Sequence, residues 1–162
     1  MDRGEYIWIN ESKYPEVTED NMEESSKGIE VETLADTTYV NEEFNFTIEF
    51  PEDWLNIVEF DTNTFSPDQE GAVNFTYAPS DEIKQLVFAI IIIPGSLEKE
   101  YEEHPFWVTI GTHNGFAFGY ITPGEPIEEL LEPENRDKLE YVQHMLYTDL
   151  PEILETFLFL EN

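Results

Sequence analysis

The sequence predicts an α+β domain in which strands come first and one long amphipathic helix comes late. Three observations carry that expectation. Phe46, Ile48 and Phe50 alternate with Asn45, Thr47 and Glu49, the period of a half-buried strand. Val87-Phe88-Ala89-Ile90-Ile91-Ile92-Ile93 is apolar on both faces, as a central strand covered on both sides should be. Leu139, Val142, Leu146, Leu150, Ile153 and Phe157 step by three and four residues, which makes one apolar stripe along a helix.

Residues 1–36 stand apart. Tyr6-Ile7-Trp8-Ile9 is a short apolar segment, and Trp8 needs a partner or a docked strand to be buried. From Asn10 to Lys27 the chain is acidic with almost no large apolar residue, a composition that cannot bury enough surface to order itself. An acidic tether is expected over 1–36 and one domain over 37–162.

Within that domain, Tyr39-Val40 leads through Asn41-Glu42-Glu43 into a strand from Phe44 to Phe50. Pro51 stops it and Trp54 follows in the turn. Leu55 to Phe60, Ala72 to Tyr77 and Ile83 to Ile93 read as further strands. Phe106 to Ile110 and Phe116 to Ile121 flank His113-Asn114-Gly115, and Asn-Gly between two β-rich runs predicts a hairpin.

Two stretches read as helix. Ser96 to Glu103 is short and acidic, with Ser96 as the expected N-cap. The longer runs from Pro133 to Phe157, and Pro133 suits a helix start. Pro151 removes a backbone hydrogen bond and crowds the preceding turn, so a kink or restart is expected there. Asp149 is the expected cap of the restart, paired with Glu152 as in a capping box. Phe157 to Leu160 closes as a last strand.

Charge is the outlier. The 162 residues hold 37 Asp and Glu against 7 Lys and Arg, a formal net charge of −30. The acids are spread along the chain rather than confined to one end. Phosphate recognition needs clusters of Lys and Arg, so nucleic acid as a direct ligand and an anionic membrane surface are both disfavoured. A basic protein, divalent cations or a salty medium suit this surface. The supply of 12 Phe, 8 Tyr and 3 Trp is enough for a core, so the charge does not imply general disorder.

Cysteine is absent, so compartment cannot be read from pairing. The longest apolar run, Leu86 to Pro94, is of strand length and well short of the roughly 20 residues a bilayer-spanning helix needs. No signal-peptide pattern opens the sequence, so any export signal is expected either to have been removed or never to have been there.

The chemistry-bearing residues form no complete catalytic pattern. His104, His113 and His144 share no metal-ligand spacing and read as surface histidines, His113 at an exposed turn. Ser66, Ser80 and Ser96 adjoin Pro or Gly turns, and neither a nucleophile elbow nor a cysteine is present. Paired carboxylates mean little in so acidic a chain; Glu49 and Glu59, on strands, are the two worth inspecting as a desolvated acid. Gly115 and Gly119 are too isolated to cradle phosphate, so no cofactor is expected. Trp54 and Trp107 read as core residues.

Two binding features are candidates. Asp61-Thr62-Asn63 followed by Asp68 and Glu70 partly matches a calcium loop but lacks the Gly and Glu of the full spacing. Asp61, Asn63, Asp68 and Glu70 are therefore candidates for weak, adventitious divalent-cation binding. Glu98, Glu100, Glu102 and Glu103 on the short helix, with Glu128, Glu129 and Glu132 beyond the last hairpin, would make one electronegative patch if their segments lie side by side.

The stretch Asn41-Glu42-Glu43-Phe44-Asn45-Phe46-Thr47-Ile48-Glu49-Phe50-Pro51-Glu52-Asp53-Trp54 resembles the opening of PsbP-like domains: an acidic turn, an aromatic strand, then Pro and Trp a few residues apart. Tyr120-Ile121-Thr122-Pro123-Gly124 is similar to their strand ending in a small-residue–Pro turn. Tyr141, Met145, Asp149 and Ile153-Leu154-Glu155-Thr156-Phe157 are similar to their final helix. The resemblance runs from Thr38 to the end, through motifs that are structural. It implies an α/β/α sandwich around a central antiparallel sheet, with one long C-terminal helix and a shorter helix packed on it. It implies accessory or binding roles without enzymatic activity, as in photosystem subunits, GTPase-binding factors and secreted bacterial or archaeal lipoproteins, and it transfers no functional residue.

The expected function is thus a non-enzymatic accessory or binding domain of an exported, surface-tethered protein. Its site would be extracellular or at the cell surface, with the cytoplasm as the alternative. A rival reading is an acidic decoy or immunity-type inhibitor that mimics DNA towards a nucleic-acid-binding protein or cationic toxin. A third is a polysaccharide or peptide hydrolase, which would need a buried acid in a deep pocket.

Overall fold

The structure, a computed structural model, describes residues 31–123 and 125–160. Most of the expected tether, with Trp8, lies outside the described residues. Nine strands are described: β1 (Glu32–Thr33), β2 (Thr38–Asn41), β3 (Phe46–Glu49), β4 (Val58–Asp61), β5 (Gly71–Ser80), β6 (Ile83–Pro94), β7 (Val108–His113), β8 (Phe116–Ile121) and β9 (Leu158–Phe159). They form an antiparallel six-stranded sheet in the order β1-β4-β5-β6-β8-β7 and a three-stranded sheet in the order β9-β3-β2.

The sheet takes in residues that the sequence assigned to the tether. β1 pairs with β4, Leu34 N–H donates to Val58 O at 2.7 Å, and the Leu34 side chain is buried. At the next turn Asn41 Oδ1 accepts the Phe44 N–H at 2.8 Å, and Asn45 takes a φ of 63°. The side-chain bond draws Phe44 into the turn, so the strand starts at Phe46 rather than Phe44. Pro51 ends the extended run as expected, and a 3-10 turn over Glu52–Trp54 drops the Trp54 indole into the core.

β6 lies between β5 and β8, and from Phe88 onward, past a bulge opposite Phe75/Thr76, its side chains divide by parity. Phe88, Ile90 and Ile92 enter one apolar cluster, while Ala89, Ile91 and Ile93 enter another. Water reaches neither face, which is why the run shows no polar alternation. The hairpin joining β7 to β8 turns on two residues with positive φ, Asn114 at 55° and Gly115 at 87°. Both values are those of a type I′ turn, whose twist matches the strands it joins.

The first face is covered by the small sheet and the C-terminal helix. Phe46, Trp54, Phe75, Phe88 and Phe118 are fully buried there. Each such side chain contributes about 1.5–3 kcal/mol over leaving it exposed. The helical rod runs as α2 (Arg136–His144), a π turn (Met145–Asp149) and α3 (Leu150–Glu155), preceded by a 3-10 turn over Pro133–Asn135. All six stripe residues meet this cluster.

Pro151 does restart the helix, by a route the sequence reading missed. The turn before it widens, so that Leu150 N–H reaches back to Met145 O, and Pro151 falls where no N–H is needed. Asp149 does not cap α3: its backbone is helical and its side chain makes no cap bond. The carboxylate faces Trp54 instead.

The second face is covered by α1 (Glu98–Glu102) and the segment from 61 to 70. Ser96 is not the N-cap of this helix. It lies exposed in a 3-10 turn over Gly95–Leu97, and Leu97 holds the position before α1. Leu97 and Tyr101, one helical turn apart, both pack on the second cluster, so apolar contact rather than capping fixes α1. No described helix is long and apolar enough to cross a membrane.

Candidate functional site

A cleft of about 270 Å³ opens on the second face, between α1 and the 61–70 segment. Buried Ile91 of β6 and Ile121 of β8 line it, with Phe65, Tyr101 and Trp107 as its aromatic surfaces. Ser66, Asp68, Gln69, Glu100 and His104 add polar groups. The Tyr101 and Trp107 rings meet edge-on with centroids 5.2 Å apart. Trp107 Nε1 donates to Thr109 Oγ1 at 2.9 Å, which holds the indole in place.

Hydrogen bonds fix the polar groups. The Tyr101 hydroxyl donates to Asp68 Oδ1 at 2.7 Å, and Gln69 Oε1 accepts the Phe65 N–H at 2.9 Å. Burial raises the Tyr101 phenol pKa well above its ordinary value, and the bond to Asp68 adds to the rise. Burial lowers the pKa of His104, whose Nδ1 accepts the Phe106 N–H at 3.2 Å. At neutral pH the phenol and the imidazole of the cleft are therefore both uncharged.

The partial calcium loop does not gather. Asp61 Oδ1 accepts from Asn63 N–H at 3.0 Å and from Asn74 Nδ2 at 2.8 Å, while Asp68 turns to Tyr101. Asn74, on β5, was not singled out from sequence; it also bonds Asn63 O, and its buried Oδ1 has no partner among the described residues. Among those residues no three of His, Cys, Asp and Glu group to hold a metal ion.

The seven glutamates of the expected patch are divided between two faces. Glu98, Glu100, Glu102 and Glu103 belong to α1 and its end, over the second cluster. Glu128 and Glu129 open a 3-10 turn over Glu128–Leu131 and Glu132 follows it, and the turn's Leu130 is buried in the first cluster. That turn is tied to the start of β6 by Ile127 N–H donating to Gln85 Oε1 at 2.8 Å, whereas α1 follows the end of β6. The seven do not form one continuous patch. Within the second group, Glu134 above all, with Glu129 and Glu128, raises the pKa of exposed Glu132.

The other sequence candidates have ordinary surroundings. Glu59 pairs with Lys84 at 3.1 Å, and exposed Glu49 donates its N–H to Thr156 Oγ1 at 2.8 Å. Exposed His144 Nε2 lies 3.3 Å from Asp149 Oδ1. His113 is only half-exposed, because its ring stacks on Phe159 with centroids 4.6 Å apart. This corrects the expectation of an open turn: β9 brings Phe159 against the hairpin, a contact invisible locally. His104 is likewise partly buried. Trp54 and Trp107 are core residues as expected.

Tyr101, Phe65 and Gln69 were missed from sequence as site residues. One signal was available for Tyr101: with Leu97 it is the apolar i,i+4 pair of an otherwise acidic segment. No family model, curated protein or solved structure matches this chain.

Proposed function

We propose that this chain is a non-enzymatic binding domain of PsbP-like type, displayed outside the cell or on its surface, that engages a basic protein. The observation that carries the reading is how the cleft uses its polar groups. Tyr101 donates to Asp68 and Gln69 accepts from Phe65, so these groups hold a surface in shape and leave recognition to ring faces and outward carboxylates. The net charge of −30 favours encounter with a cationic partner and repels nucleic acid.

The PsbP-like part rests on the quoted motifs, and two of them meet in space. Pro51 ends β3, and Trp54 behind it reaches Asp149 in the last helix. The division of the acidic residues between two faces weighs against a DNA mimic, which needs carboxylates in rows on one face. Glu59, paired with Lys84, weighs against a hydrolase acid there.

Titration calorimetry in low salt tests the reading, with lysine-rich, neutral and glutamate-rich peptides of one length. The lysine-rich peptide should bind and should weaken steeply as salt is added. Equal response to all three peptides, or none to the basic one, refutes the partner class. Protease shaving of intact producing cells tests the location.

A further inference from the structure

The cleft beside α1 brings aromatic side chains close to carboxylates. A cation there meets ring faces and negative charge together, an arrangement that selects ammonium groups over neutral ones. Asp68 is held against Tyr101 by its 2.7 Å bond through Oδ1, and its second oxygen, with no hydrogen-bond donor on it among the described residues, can meet an incoming one. Glu100 also lines the cleft. The volume, about 270 Å³, lies below the roughly 300–1,000 Å³ of pockets for drug-sized ligands, and fits one side chain better than a cofactor.

We infer that this cleft receives a lysine side chain of the basic partner, its apolar arm against Tyr101 and Trp107 and its ammonium facing Asp68 and Glu100. The inference deepens the binding-domain reading and rests on it. Lysine is favoured over arginine because Asp68 has one oxygen engaged by Tyr101, whereas a guanidinium is best met by a carboxylate with both oxygens open. Burial keeps His104 uncharged at neutral pH, so it does not oppose a cation.

The test follows the Trp107 indole N–H by NMR while Nα-acetyl-lysine amide is added to the whole chain. Nα-acetyl-norleucine amide, equally apolar but uncharged, and Nα-acetyl-arginine amide are the comparisons. The lysine derivative should move the resonance saturably, the arginine derivative less, and the norleucine derivative little. Asp68→Asn and Glu100→Gln should each weaken the lysine derivative about fivefold, the equivalent of about 1 kcal/mol. Asp81→Asn, an exposed change of equal charge in the β5–β6 turn, should leave it unaltered. The asparagine keeps an acceptor for Tyr101, so the variants should stay folded.

Equal shifts from lysine and norleucine derivatives, tighter binding of arginine, or full affinity in the Asp68→Asn/Glu100→Gln double variant would each overturn the assignment. Should Trp107 ignore the lysine derivative while the lysine-rich peptide still binds in low salt, the cleft assignment falls and the basic-partner reading stands. Should that peptide also fail to bind, both fall.

Discussion

Trp54 Nε1 donates a hydrogen bond to Asp149 Oδ2 at 2.9 Å, joining the turn after β3 to the C-terminal helix across 95 residues of sequence. Both side chains are buried, and this bond satisfies the indole N–H. A polar pair in so apolar a place fixes where the helix lies along the sheet, because sliding it would strand both groups.

Breaking that pair should be costly. Asp149→Ala leaves a buried indole N–H unpaired, and a loss of about 1–3 kcal/mol in urea unfolding is expected. Asp149→Asn keeps an acceptor and should lose less. A loss below about 0.5 kcal/mol for the alanine variant, the size of an ordinary surface change, would mean that the bond does not position the helix.

Gly119 should tolerate no side chain. A Cβ there would run into the Trp107 indole, which cannot swing away without breaking its bond to Thr109. Gly119→Ala should destabilise by about 1–3 kcal/mol, the usual cost of overpacking, and should move the Trp107 indole resonance. Wild-type stability with an unmoved indole would contradict this packing.

Alkaline pH should unfold the domain through its tyrosines. Burial is the largest cause of the raised pKa values of Tyr39, Tyr77, Tyr101, Tyr120 and Tyr141. A group whose folded pKa exceeds its unfolded value holds its proton more tightly when folded. Its contribution is complete below the unfolded phenol value of about 10 and is lost as pH rises beyond it. Melting temperature should therefore fall above about pH 10, and Tyr101→Phe should make that fall shallower. An identical slope in the variant would show that Tyr101 is not held neutral by the fold.

Salt should stabilise the protein without regard to cation identity. At net −30 the folded chain repels itself, and screening relieves that repulsion. Each kcal/mol relieved raises the melting temperature by about 2–4 °C in a domain of this size. Because Asp61 and Asp68 engage different partners, calcium and magnesium at matched ionic strength should act alike. A calcium-specific rise at millimolar concentration would restore the loop as a metal site.

Much of the architecture was legible in the sequence because its signals are local. Period-two alternation marked β3, the two-sided apolar run marked β6 as central, and Asn114-Gly115 marked its hairpin. The stripe from Leu139 to Phe157 marked the helix that covers the sheet. Errors fell where a distant group competed with a local one. Asp149 bonds Trp54 rather than the end of α3, His113 stacks on Phe159, and Leu34 draws its neighbours into the sheet.

Periodicity and turn chemistry act over a few residues, so most strands and both helical segments, with the apolar face of each, could be read from the order of residues alone. The cleft has no such local signal, because Asp68, Tyr101 and Trp107 meet through the folding of α1 and the 61–70 segment onto β6 and β8. The fold also parts the acidic segments to two faces, since partly buried Tyr101 packs on one apolar cluster and buried Leu130 lies in the other, each carrying its neighbouring glutamates with it.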